Sequence, residues 1–361
     1  MQANTRIKPI TIQIKGDYWD SYIYGGKLYL WNFNQDIEII VWDKLIENLS
    51  KKEEEKSVLR HAFINCKDLS YKRLTSEKLS DALGSLTQKS ITITKEYLKS
   101  HTIKTIKKPL KCLPTGIEFT EDEVYIADES GFYKTDRDFT KPKKMWDCRL
   151  LSIKSNYYKS KRVSLSAGSE GLFEYDDLIN NGDKDGKKVE KNIHQITEKH
   201  SSFSDWLYDG IYNTSINPYS SFWFNFTNKK EPKLIQEKDI FKKQSCQYIS
   251  WGYKDKIYGV SNDGMEEVSI KNGKNFDAHS RKPVLNGFLN QKPISAGVGE
   301  FGKAIEYENG LVVVLDNNEH YKIASDKICN WRLFNRSKKY LNQLHVVFED
   351  KVVVYSLNSW K

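Results

Sequence analysis

Val124-Tyr-Ile-Ala-Asp-Glu-Ser-Gly131-Phe-Tyr133 is a β-branched and aromatic run, a tight polar turn closed by a glycine, and a second such run. The same order returns at Val163-Ser-Leu-Ser-Ala-Gly-Ser-Glu-Gly171-Leu-Phe173, at Ile257-Tyr-Gly-Val-Ser-Asn-Asp-Gly264-Met265 and at Ala304-Ile-Glu-Tyr-Glu-Asn-Gly310-Leu-Val312. Runs of this kind on either side of a glycine turn read as paired antiparallel strands. The gap between Gly171 and Gly264 is about twice the gaps on either side of it, so one further copy lies inside it. A strand repeat with a period of roughly 40 to 50 residues implies one four-stranded sheet per repeat.

Working outward, the hidden copy runs from Phe203 through Ile211-Tyr212 and Phe222-Trp-Phe-Asn-Phe226, turns at Asn228 to Pro232, and resumes at Leu234. The last unit is Trp331 to Phe334, Leu344 to Phe348, a turn at Glu349-Asp350-Lys351, and Val352 to Tyr355. The first begins near Ile10. Ile12-Gln-Ile14 alternates, Tyr18 to Tyr24 follows, Gly25-Gly26 supplies a hairpin turn, and Leu28 to Trp31 leads into Ile37 to Trp42, a complete four-strand unit. Turns near Asp36, Gly131, Gly171, Asn228, Gly264, Gly310 and Asp350 make seven units, and a chain of 361 residues is consumed by about that many. The fold expected is therefore all-β: a seven-bladed β-propeller, within a range of six to eight blades, occupying residues 1–361 as one domain. Residues 5 to 15 are expected to complete the blade of Val352 to Tyr355, because propellers commonly close by pairing one chain end with the other. Tryptophans 146, 206, 251 and 331 stand early in their units, where each reads as a wedge between neighbouring sheets.

One stretch breaks the pattern. From Lys44 to Phe63, Leu45, Ile46, Leu49, Val58, Leu59 and Phe63 are spaced as on a helix, and Lys51-Lys-Glu-Glu-Glu-Lys56 supplies a charged outer face. Leu79, Leu83 and Leu86 form a second stripe behind Ser76, a candidate cap. Residues 47–105 thus read as a small helical insertion after the first blade, with a degenerate eighth blade around Ile91-Thr-Ile-Thr94 as the competing account. Such helices either offer a partner surface or pack back on the sheets.

Five cysteines without a C-x-x-C pair indicate neither a disulfide framework nor a structural zinc site. Seven histidines show no metal-ligand spacing, and no nucleophile elbow or phosphate loop stands in a strand-turn-helix context. Asn181-Gly-Asp183-Lys-Asp185-Gly186 begins like a calcium loop, but its twelfth position is Asn192 where the bidentate glutamate belongs. Gly297-Val-Gly299-Glu-Phe-Gly302 reads as a hairpin turn. Met1 to Pro9 lack the apolar stretch of a signal peptide, and no stretch approaches 18 uninterrupted apolar residues. A soluble cytoplasmic protein without cofactor or metal and without membrane contact is the expectation.

Lys and Arg together number 57 against 48 acidic residues, a net charge of +9. Basic and aromatic residues interleave at Tyr157, Tyr158, Lys159, Lys161 and Arg162, and again at Arg332, Arg336, Lys338 and Lys339. If those loops share a face, phosphates would meet the cations while bases stack on tyrosine, so these nine residues are the candidate nucleic-acid-binding set.

The recurring units resemble the broad seven-bladed β-propeller class of WD-repeat and kelch-like proteins. Trp42-Asp43 at a strand end is similar to the dipeptide that names WD repeats, although no Gly-His pair precedes it. No functional residue carries over. A propeller of this kind holds many loops in fixed positions, which implies a non-catalytic interaction scaffold, a subunit of a larger intracellular complex. Protein partners would dock on the loop face or the helical insertion, and nucleic-acid binding through the basic loops is the alternative.

Overall fold

The computed structural model describes residues 9–66, 77–156, 162–177, 192–207, 210–215, 222–225, 233–237, 249–261, 264–271, 275–283, 292–315, 320–324 and 327–357. The calcium-like loop up to residue 191, the turn at Asn228 and the candidate cap Ser76 lie outside them. The described residues form an all-β structure with few helices, divided into two compact units: residues 1–108 with 297–361, and residues 109–296.

The second unit holds four four-stranded antiparallel meanders, beginning with Pro114–Phe119, Ser152–Ser155, Phe203–Leu207 and Ile249–Tyr253. In each case the first strands of successive sheets pack against one another. The recurring turn glycine has a physical cause here. In the first of these sheets Asp128 Oδ1 accepts hydrogen bonds from Ser130 N, Ser130 Oγ and Gly131 N at 2.7–2.8 Å, closing the turn from within. Gly131 has φ +155°, and a Cβ there would collide with the carbonyl oxygen of Trp146 at the end of the fourth strand. Gly171 repeats the arrangement with φ +105° against the Thr197 carbonyl. The glycine is needed because the outer strand's backbone passes directly over the turn.

The first unit contains the meander Gly302–Tyr307, Gly310–Leu315 and His320–Ala324, and two sheets that depart from the expected plan. Gly297 and Gly299 lie within a strand, and the hairpin turn is Glu300-Phe301. The initial sheet is Tyr18–Tyr24, Lys27–Asn32, Ile37–Val41 and, after a long excursion, Thr102–Ile106. Its fourth strand is therefore not Ile12 to Ile14, and the insertion sits inside the first sheet, between its third and fourth strands, rather than after it. Ile10–Lys15 instead joins the last sheet, pairing antiparallel with Lys351–Ser356 from Ile10 opposite Ser356 to Lys15 opposite Lys351. This is the pairing of chain ends anticipated from sequence. The closing sheet gains a fifth strand, Ile91–Ile93, parallel to Ile12–Ile14. The Ile91 segment is accordingly an edge strand and not an eighth blade. The described residues thus give six regular four-stranded sheets where seven were expected, within the range of six to eight, because the last sheet is a composite of five strands that takes in both Ile10–Lys15 and Ile91–Ile93.

Among the described residues the insertion also holds four helices: α1 (Trp42–Glu47), α2 (Glu53–Phe63), α3 (Glu77–Gln88) and α4 (Lys95–His101). In α2 three glutamates occupy the first turn, and Arg60 and His61 occupy the last, matching the helix dipole. Its Val58, Leu59, Ala62 and Phe63 are buried in one core with Trp42, Leu45, Leu79 and Leu98 of the other helices and Ile10, Ile12 and Ile14 of the closing sheet. Burial of each large side chain contributes about 1.5–3 kcal/mol. Polar bonds add direction. Trp42 Nε1 and Gln343 Nε2 both donate to the Phe63 carbonyl at 2.8 Å, Asn342 Nδ2 donates to the Ala62 carbonyl at 3.0 Å, and Cys66 N donates to the Lys339 carbonyl at 2.9 Å. The insertion packs back on the last sheet and is fixed to it. No helix among the described residues is long and apolar enough to cross a membrane. The four described cysteines are free thiols.

Candidate functional site

Two arginines of the candidate basic set, Arg162 and Arg332, sit at seams between sheets. In the first unit Arg332, on the first strand of the last sheet, reaches Asp20 on the first strand of the initial sheet. Nε donates to Oδ1 at 2.6 Å and Nη2 donates to Oδ2, a bidentate pair in which Asp20 is fully buried and the arginine side chain 20% exposed. The guanidinium also lies over the Tyr22 ring, 5.3 Å from its centroid. Beside it Ser21 Oγ and His345 Nδ1 are 2.8 Å apart, and His345 Nε2 lies 3.2 Å from Gln343 Oε1. Gln343 gives its Nε2 hydrogens to Phe63, so its Oε1 must accept from His345 Nε2–H, and His345 Nδ1 then accepts from Ser21. Complete burial, with the nearby Arg332 charge, pushes the His345 pKa down to about 3 and keeps the ring neutral.

The second unit handles its seams in the same way. Glu118, on the first strand of its sheet, accepts from Ser155 Oγ at 2.7 Å and Lys154 Nζ at 3.2 Å on the next. Asp205 Oδ2 accepts from Gly252 N at 3.0 Å. Arg162 donates to Glu174 and covers the Trp206 ring, its side chain 12% exposed. Burial raises the Glu174 pKa against the lowering effect of Arg162. Trp206 Nε1 donates across the seam to the Lys154 carbonyl at 2.9 Å, and Trp331 Nε1 donates to Glu306 Oε2 on the preceding sheet at 2.8 Å, so both are wedges between sheets. Trp146 lies instead on the fourth strand of its sheet, its ring tilted against that of Phe173 at 4.6 Å between centroids.

Of the nine candidate nucleic-acid residues, Tyr157, Tyr158, Lys159 and Lys161 lie outside the described residues. Arg162 and Arg332 are held by buried carboxylates in different units. Arg336, Lys338 and Lys339 share the turn that follows Asn330–Leu333, with the two lysines exposed.

The structure assembles a different cationic site that sequence reading missed. A cleft of about 400 Å³ opens in the first unit between the Lys15-Gly-Asp-Tyr18 turn, the Asn32–Glu38 hairpin and α4. Its floor is Tyr18 and Leu98, both buried. Lys15, Lys95 and Lys99 stand exposed on its rim with Asp17. The two α4 lysines are one turn apart on the same side of the helix. Thr94 orients that helix, its Oγ1 accepting from Tyr97 N at 3.1 Å, and Tyr97 OH donates to the Leu45 carbonyl at 3.2 Å. Within the cleft Tyr18 OH donates to Glu38 Oε2 at 3.3 Å. Burial, reinforced by Glu38, raises the Tyr18 pKa and keeps the phenol protonated. Asn32 Oδ1 accepts from Asp36 N at 3.0 Å, which leaves its amide hydrogens as donors. Thr102 and Thr105 complete the lining from the edge strand of the initial sheet. The only sequence signal was Lys95-Glu-Tyr-Leu-Lys99, two lysines at helical spacing in the insertion.

No protein-family profile matches the sequence, and no curated protein matches it. Among solved structures the chain is similar to the Cps50 (Swd1) β-propeller domain of Myceliophteria thermophila, with a TM-score of 0.57 at 7% identity over 97% of this chain and 100% of that one. It is also similar to the Pan2 WD40 domain of Neurospora crassa, with a TM-score of 0.51 at 8% identity over 96% and 91% of the two chains. A computationally designed protein, Ika8, matches with a TM-score of 0.52 at 5% identity over 97% and 99%. At these identities the likeness shows the fold, a β-propeller, and nothing of the function.

Proposed function

We propose that this chain is a non-catalytic β-propeller that serves as an interaction scaffold within a larger intracellular protein complex. On this reading residues 1–361 act as one domain. The observation that carries the proposal is the anchoring of the insertion. Bonds from Asn342, Gln343 and the Lys339 carbonyl hold the end of α2 and the chain just after it, so the exposed Lys51, Lys52, Glu53, Ser57 and Arg60 form a positioned surface. The polar bonds across the seams support it too, since sheets joined by ion pairs and hydrogen bonds hold their loops in constant relation.

Affinity-tagged protein isolated at native expression level should elute well above its own mass of 42.1 kDa, with protein subunits at fixed stoichiometry. Elution as a monomer at physiological salt rejects the scaffold reading. Nuclease-sensitive assembly that fades between low and physiological salt favours instead the alternative, nucleic acid held by Arg336, Lys338 and Lys339.

A further inference from the structure

We propose that the cleft rimmed by Lys15, Lys95 and Lys99 receives an acidic, extended segment of a partner protein. The inference rests on the scaffold reading and names the chemistry of one docking site within it. Lysines elsewhere that lie near carboxylates are paired with them: Lys107 with Asp36 at 2.8 Å, Lys134 with Glu123 and Asp177 at 2.7 Å, Lys154 with Glu118 at 3.2 Å. Lys15, Lys95 and Lys99 make no ion pair among the described residues, although Asp17 and Glu38 line the same cleft. Glu38 is turned to the Tyr18 hydroxyl. Three ammonium groups are thus left facing a common space, with the Asn32 amide as a neutral donor beside them.

Size and charge layout select the ligand. About 400 Å³ admits two or three side chains of an extended chain and no folded domain. A nucleic-acid strand carries a charge at every nucleotide, and such a row would set phosphates against Asp17 as well as against the lysines. A peptide can place its acids at the lysines alone. The strand Thr102–Ile106, which supplies Thr102 and Thr105, is the last of its sheet, and Ile103 on it is 55% exposed. Among the described residues no further strand pairs with it, and addition of a strand is the mode by which sheet edges take up extended peptides.

The test is fluorescence anisotropy on the full chain with four labelled probes: a glutamate-rich heptapeptide, the same peptide with phosphoserine replacing two glutamates, a lysine-rich heptapeptide and single-stranded oligouridylate. The acidic probes should bind, the lysine-rich probe should not, and binding should weaken at least tenfold in Lys95→Glu/Lys99→Glu and in Lys15→Glu. These substitutions are on exposed side chains, and an unchanged Tm certifies folding. Lys338→Glu/Lys339→Glu should leave affinity as it was. Stronger binding of the phosphoserine probe identifies a phosphoryl group as the preferred anion, and equal binding identifies carboxylate. Unaltered affinity in the Lys15 and Lys95/Lys99 variants, no binding of either acidic probe, or tighter binding of oligouridylate through these lysines overturns the proposal. If the native complex persists in the triple Lys→Glu variant, the cleft assignment fails while the scaffold reading stands. If the wild type is monomeric in its cell yet binds acidic probes through these lysines, the reverse holds.

Discussion

The seam at Asp20 and the cleft at Tyr18 are built on the same strand, Tyr18–Tyr24, two residues apart, and they use positive charge in opposite ways. At the seam the cation is an arginine, its planar fork fully engaged by a buried carboxylate and its face covered by Tyr22. At the cleft the cations are lysines on flexible stems, solvated and unpaired among the described residues. The chain's net charge of +9 counts both alike. Only the location of the counter-charge separates a cation that holds sheets together from one left over for another molecule.

The sharpest way to break this contrast is to remove the seam cation. Arg332→Leu leaves Asp20 charged, buried and unpaired, and should cost about 3–5 kcal/mol in chemical denaturation, with Asp20→Asn/Arg332→Leu recovering part of the loss. Acid tests the same seam next. His345 is neutral when folded, with a pKa near 3 against an ordinary 6.5, so below pH 6.5 the unfolded chain binds the extra proton and stability is lost as pH falls toward 3. The Tm should drop across that window at up to about 1.4 kcal/mol of stability per pH unit, and His345→Gln should remove this component. The seam of the second unit should be milder. Glu118→Ala frees Lys154, which is part-exposed and can turn to water, and should cost about 1–3 kcal/mol. Loosening the insertion comes after that. Gln343→Ala keeps Trp42 as a donor to Phe63 but strips the buried His345 Nε2–H of its acceptor, so global stability should fall by about 1–3 kcal/mol, while amide exchange along α2 accelerates. At the other extreme Lys95→Ala and Lys99→Ala should each stay within about 0.5 kcal/mol of the wild type.

How much of this was legible beforehand follows from what periodicity encodes. Alternation and turn glycines announced the meanders, because burying one face of a strand and passing a neighbouring carbonyl over a turn both constrain residue type locally. The pairing of chain ends was readable for the same reason, in Ile10, Ile12 and Ile14. The helices of the insertion were readable from Leu45, Val58, Leu59 and Phe63. The fourth strand of the initial sheet was not, since Thr102-Ile-Lys-Thr-Ile106 alternates only weakly and its partner, Ile37–Val41, lies on the far side of the helical insertion. Nor could sequence reveal that Ile91–Ile93 pairs in parallel with the first strand. Arg332 looked like surface charge because its carboxylate lies at Asp20, near the other chain end. The cleft was hidden for a related reason: its lysines come from a turn near residue 15 and a helix near residue 97, brought together only by the insertion's return.

The register that joins Ile10 to Ser356 carries a mechanical consequence. Because the two strands run in opposite directions, both ends of the chain leave the closing sheet on the same side, at the same rung of the ladder. A pull applied between them loads that rung alone, then the next, peeling the strands apart like a zipper instead of shearing all six rungs at once. The β-branched pairs Ile12 with Val354 and Ile14 with Val352 stand inside the ladder and yield only after the outer rungs, with Lys15 and Lys351 parting last, so tension delivered through these two strands opens the molecule at its own joint before it disturbs any other sheet.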